Sequence, residues 1–244
     1  METFFTNSDK IQHIIKSFNL TKTLFVSSII IGEPHIGKKT LASYLFPNAA
    51  LVSAEDQKQV EFALENNEEL IITDFEKLMN HQRLDFSNKR IIATANYVGN
   101  SSMIDALFAF IYTMPSLQER PEDITILSKK FIQEAQSTLM LETHMINIDN
   151  IPLNLTQNNQ SLRQSIYMYL TKQNMSISDI TDMLYDYFYA HYDNNDNYRK
   201  HIKIFEKPLI EAGLKKYGSQ LKLSNALGIN RNTLRKKIHE HNID

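Results

Sequence analysis

The chain has no cysteine and no tryptophan, and only six glycines and six prolines in 244 residues. Without cysteine there is no disulfide framework and no thiolate metal site, which suits a reducing cytosol. No apolar run approaches a membrane span. The longest, Thr23-Leu24-Phe25-Val26-Ser27-Ser28-Ile29-Ile30-Ile31, has the length of a strand, and the N-terminus does not read as a signal peptide. No histidine pair has the spacing and third ligand that zinc requires, and no isolated pair of carboxylates suggests acid–base catalysis. Nor is there an excess of charge, since the net is −2. That balance hides an asymmetry. Residues 205–244 hold eight Lys and Arg against four Asp and Glu, a net of +4, so the other 204 residues carry −6. A basic tail on an acidic body points to polyanion binding by the tail.

What is present begins with that tail. Gly228 suits the left-handed stop of one helix, and Asn230 is placed to cap the next. Leu223, Leu227, Ile229, Leu234 and Ile238 form an apolar seam across the corner, with Ser224 small where the helices approach. Arg231, Asn232, Thr233, Arg235, Lys236 and Lys237 all fall in the second helix. The pattern is a helix-turn-helix whose second member carries donors for phosphates and base edges. The residues that carry it, with Leu214 and Gly218, resemble the Fis-type DNA-binding domain over about residues 205–243. The resemblance implies a dimer with each recognition helix in the major groove of one half-site. It departs at Leu223-Ser224, where the family usually has two alanines.

Upstream, residues 9–18 read as a short amphipathic helix, followed by an apolar strand over about 24–31. The strand runs into Gly32-Glu33-Pro34-His35-Ile36-Gly37-Lys38-Lys39-Thr40 and then a helical pattern, which together form a P-loop context. Backbone N–H groups at a helix N-terminus would ring a phosphate, with the Lys38 ammonium on the outer oxygens. Further strands are expected at 50–53, 70–74, 90–95 and 111–114 with helices between them, which argues for a parallel, helix-covered sheet. Leu70-Ile71-Ile72-Thr73-Asp74 reads as a strand ending in a Mg²⁺-directed carboxylate. Residues 122–141 and 160–170 are helical in pattern, 147–159 a loop, 176–191 an aromatic-rich helix, and 193–197 a polar break.

Gly32-Glu33 with Gly37-Lys38, Arg90-Ile91-Ile92-Ala93-Thr94-Ala95-Asn96, and Pro115-Ser116-Leu117-Gln118-Glu119-Arg120-Pro121-Glu122-Asp123-Ile124 resemble the NtrC-type AAA+ domain of sigma-54 activators. The resemblance covers about residues 4–172, and no receiver or other sensory domain is expected before it. It implies an α/β fold: a P-loop AAA+-like parallel sheet at 1–121 with a helical lid at 122–173. A helical linker (174–200) and an all-α helix-turn-helix domain (201–244) follow. The departures fall on the catalytic parts. Phe75 stands where the family has its water-polarising glutamate, and Glu76 lies one residue too far along. The two finger arginines map onto Ile104 and Phe110. The lid arginine maps onto Gln160, with Arg163 as a substitute one short slip away. The loop that grips the sigma factor is missing from the shortened interval after Lys38.

An arginine finger is worth ~10³–10⁵ in rate and general-base help ~10²–10⁴, although the two do not add. The expectation is therefore a chain that is not an enzyme: a sequence-specific, homodimeric regulator of double-stranded DNA, located in the cytoplasm. Its AAA+-like domain would set oligomeric state or receive a nucleotide or protein partner, with no membrane contact. Lys222, Lys236 and Lys237 are expected on phosphates, and Arg231, Asn232, Thr233 and Arg235 on base edges. No cofactor is required. Whether ATP or ADP still binds through Gly32, Gly37, Lys38, Lys39, Thr40, Asp74 and Asn96 is left open, because Pro34 removes an N–H from the loop. The rival readings are a working ATPase that remodels polymerase and a protein-binding decoy for active relatives.

Overall fold

A computed structural model describes the chain except residues 1, 2, 22, 81–83, 100, 142–145, 194 and 244. It divides into two compact units, 1–174 and 175–244.

In the first unit, β1 (Ser27–Ile31), β2 (Ala50–Ser53), β3 (Glu69–Thr73), β4 (Arg90–Ala95) and β5 (Phe110–Thr113) form one sheet in the order β2-β3-β4-β1-β5. Every pairing is parallel. The runs of isoleucine in the central strands are buried on both faces, as a helix-covered parallel sheet demands. Alternation sorts them into two layers. Ile29, Ile31, Leu70, Ile72, Ile91 and Ala93 pack with Val60, Ala63 and Leu64 of α3 (Gln57–Asn66) and Ile104 of α4 (Ser101–Leu107). Ile30, Ile71 and Ile92 face Ile11, Ile14 and Phe18 of α1 (Asp9–Leu20) and Leu41, Ala42 and Leu45 of α2 (Lys38–Leu45). The first strand starts at Ser27 instead of residue 24, and Leu24 and Phe25 are exposed. The third ends at Thr73, so Asp74 lies outside the ladder in the left-handed region at φ 56°.

The lid packs α5 (Pro121–Thr138) against α6 (Asn158–Asn174) through Leu127, Phe131, Ala135, Leu162 and Ile166. Because β1 lies between β4 and β5, its carboxyl end is the sheet's switch point, where ligands bind in open α/β sheets.

The second unit contains α7 (Ile177–His191), α8 (Asn197–Tyr217), α9 (Gln220–Leu227) and α10 (Arg231–Glu240). Ile210, Leu223 and Leu234 form the centre of its core, flanked by Leu214, Leu227, Ile229 and Ile238. Ser224 is buried, and Gly213 of α8 also lies close against α9. A Cβ built there would lie 2.3 Å from Leu223 Cδ1. No residue of α7 is buried. Among the described residues no helix is long and apolar enough to cross a membrane.

Candidate functional site

The P-loop joins β1 to α2, and its geometry follows from where its carbonyls go. Lys38 Nζ donates to Gly32 O at 2.7 Å and to Glu33 O at 2.6 Å. Asn158 Nδ2 donates to Pro34 O at 3.1 Å, Asn159 N to His35 O at 3.2 Å, and the Arg120 guanidinium to Ile36 O at 2.9 Å. Five consecutive carbonyls are thereby taken. Among the described residues, no backbone hydrogen bond takes up the N–H groups of residues 37–40. A loop with satisfied acceptors and free donors is an anion-binding concavity. Gly37 sits at φ 100°, where a side chain would be strained, and a Cβ on Gly32 would lie 2.5 Å from Met114 O. Pro34 costs the ring one donor, but its carbonyl is used in the outer shell.

The loop opens on a cleft of about 1060 Å³ shared with the lid. Gly37, Lys38, Lys39, Thr40, Asp74 and Asn96 line it, whereas Gly32 does not. Sequence spacing did not point to Lys77 or Lys130, which also line it, nor to His35 at φ 62°. Gln160 and Arg163 both reach the cleft from α6. Arg163 is paired with Glu134, and its guanidinium carbon lies 5.5 Å from the Tyr167 ring centroid. Five Lys and Arg against the single carboxylate of Asp74 make the cleft electropositive.

Lys38 is buried, and its Nζ also donates to Asn96 Oδ1 at 3.0 Å. Burial pushes its ammonium down to about 8, against the pull of Glu76, Asp74 and Glu33. Asn96 Nδ2 in turn donates to Glu76 Oε1 at 2.6 Å. The left-handed Asp74 and the short turn Phe75–Lys77 bring Glu76 to that position. Glu76 nevertheless does not line the cleft. It borders a separate cavity of about 150 Å³ with Phe75, Leu78, Tyr97 and Ile104. Phe75 is buried against Phe108, with ring centroids 5.0 Å apart. Ile104 is in the core, and Phe110 stacks on Tyr112.

The stretch that carries the strongest resemblance to sigma-54 activators acts as a structural bracket. Arg120 Nη1 meets Asp123 Oδ2 at 3.1 Å with both side chains essentially inaccessible. Asp123 also accepts from Thr6 Oγ1 at 2.9 Å, Asn7 N at 2.6 Å and Ser8 N at 3.2 Å. With the Ile36 bond, one pair ties the N-terminal segment, the P-loop and the start of the lid. Asn158 adds a second tie: it accepts from Leu117 N at 2.8 Å and donates to Glu33 Oε2 at 2.9 Å.

In the second unit, Gly228 takes φ 65° and Ile229 N closes onto Ser224 O at 3.1 Å. Asn230 is extended, and its side chain accepts from Asn232 N at 2.8 Å, capping α10. Leu234 is buried, and around it Arg231, Asn232, Thr233, Arg235 and Lys236 stand exposed, with Lys222 exposed on α9. Lys237 differs: its Nζ is ion-paired with Glu206 of α8. Among the described residues no group of three or more His, Asp or Glu is placed to hold a metal ion.

Residues 202–241 match the bacterial regulatory proteins of the Fis family. Over 166 residues the chain is 28% identical to the DNA-binding transcriptional regulator NtrC of Azospirillum brasilense, covering 53% of this chain and 34% of the relative. The chain thus spans about a third of that relative's length. Among solved structures, NtrX from Brucella abortus in complex with ATP superimposes with a TM-score of 0.57 at 15% identity, covering 100% of this chain and 70% of that one. The same protein in complex with ADP gives 0.54. The likeness to NtrX establishes an AAA+-like fold, followed by a helical region that contains the helix-turn-helix.

Proposed function

We propose that this chain, with its Fis-family helix-turn-helix behind an AAA+-like unit, is a sequence-specific DNA-binding regulator. In this reading the P-loop unit holds a nucleotide without turning it over. The observation that carries the first half is α10, anchored by Leu234 and presenting Arg231, Asn232, Thr233, Arg235 and Lys236 to solvent. Arg231, Asn232, Thr233 and Arg235 read base edges, while Lys222 and Lys236 hold phosphates. Lys237 belongs to the tie between α8 and α10 instead. The chain works as a homodimer in the cytoplasm, and the unburied apolar residues of α7, Ile177, Ile180 and Met183 among them, support pairing between copies.

Changing Arg235 to alanine is expected to cost about 1–3 kcal/mol at the preferred site and to relax specificity at one base position. A binding-site selection on wild-type and variant chains reads both effects. Unchanged affinity and an unchanged preferred site remove Arg235 from base readout.

The free loop donors and the cationic cleft support a nucleotide triphosphate or diphosphate as ligand. The phosphates would displace Lys38 from its own loop carbonyls and raise its pKa. Below pH 8 the free protein already carries that charge, so affinity is flat. Above pH 8, binding requires proton uptake, and affinity falls by up to about tenfold per pH unit. Titration calorimetry with ATP between pH 7 and 9.5 checks this, and Lys38→Met should abolish both the dependence and most of the affinity. A wild-type affinity that rises with pH would contradict the assignment.

A further inference from the structure

One cation of the recognition helix is half-buried and held by an ion pair. Lys236 is 78% exposed and its pairing with Glu240 is loose at 3.7 Å, so a phosphate can take it over easily. Lys237, 30% exposed, meets Glu206 Oε1, and Glu206 itself is 19% exposed. The other oxygen, Oε2, lies 2.9 Å from the His241 ring nitrogen Nε2 just beyond α10. Both carboxylate oxygens of one α8 residue are thus committed to the C-terminal end of the recognition helix. Those two contacts hold the Glu206 carboxyl below the usual carboxylate range, Lys237 contributing most. Position 237 lies three past the buried Leu234 and one short of Ile238, on the flank of the helix that its apolar stripe turns toward the core.

We infer that Glu206 is a positioning residue and a specificity gate: it orients α10 against α8 and keeps Lys237 off the phosphate backbone. The inference rests on the duplex-binding reading above. Phosphate contacts strengthen binding to every sequence, whereas base contacts strengthen it only at the site. Removing one cation from the phosphate set therefore lowers non-specific affinity while leaving the base-reading residues untouched, and the specificity ratio rises.

The test is the salt dependence of full-chain binding to a random-sequence duplex. Glu206→Gln is expected to steepen the slope of log affinity against log salt by about one unit per recognition helix. It should also tighten random-duplex binding roughly tenfold per recognition helix at 0.1 M salt. Adding Lys237→Met to that variant should return the slope to the wild-type value. Acylation of lysines in the wild-type chain, read by mass spectrometry, gives a second measurement that needs no variant. Duplex should protect Lys236 and leave the labelling of Lys237 unchanged, and this decides the question even if Glu206→Gln loosens the helix pair. An unchanged slope in Glu206→Gln, or protection of Lys237 equal to that of Lys236, overturns the gate alone. A wild-type chain that binds no duplex overturns the DNA reading together with the gate.

Discussion

Replacing Asp123 by alanine is expected to destabilise the first unit by about 3–5 kcal/mol, the cost of breaking a buried ion pair and leaving the other charge behind. Arg120 is 1% exposed and Asp123 0%. Burial lowers the arginine's affinity for its proton, and Asp123 is the largest influence restoring it. Without the carboxylate, the guanidinium stays buried with Ile36 O and Ser116 O as its hydrogen-bond acceptors among the described residues. The N–H groups of Asn7 and Ser8 lose an acceptor as well. Substituting both members of the pair would spare the stranded charge but not those two donors, so the double variant should recover only part of the loss. Hydrogen exchange of the β1, β3 and β4 amides in the full chain reads the first unit without assuming that both units melt together. A loss under about 1 kcal/mol would show that the bracket contributes little.

The second large effect is on turnover. Steady ATP hydrolysis is expected at least about 10³-fold below that of relatives with an arginine finger. Ile104 is packed into the core and Phe110 offers no cation. Phe75 fills a hydrophobic site, and Glu76 is joined to Asn96 away from the cleft. One observation favours the rival reading, since Glu76 comes within hydrogen-bonding distance of the asparagine that also holds Lys38. If Glu76 swung past Asn96 to polarise water, hydrolysis would be measurable and would vanish in both Glu76→Gln and Lys38→Ala. Instead, all three chains are expected to be equally inactive.

Much of this was legible in the sequence because it is local. The five strands fall within a few residues of their expected places, since runs such as Ile29-Ile30-Ile31 and Leu70-Ile71-Ile72 carry the signal themselves. The Gly228–Asn230 corner is likewise a matter of neighbouring residues and forms as read. What escaped notice depends on partners far apart in the chain. Asp123 meets Thr6 across 117 positions and Arg120 meets Ile36 across 84, so a stretch known only as a resemblance proved to be a clasp. Lys237 looked equivalent to Lys236 until Glu206, 31 positions away, distinguished them. Lys77 and Lys130 enter the cleft from a short turn and a lid helix, for which spacing offers no clue. Glu76 reaches Asn96, though not the cleft, through one backbone feature, the positive φ of Asp74, which sequence alone does not announce.

The proposed chain is a working DNA reader joined to a nucleotide site without turnover. The most direct measurement incubates the full chain with duplex and ATP labelled on its γ-phosphate, then separates protein-bound from free label. The expected result is a duplex complex whose retained label is still ATP after many minutes. Rapid release of labelled phosphate from a chain that leaves the duplex unbound would contradict it.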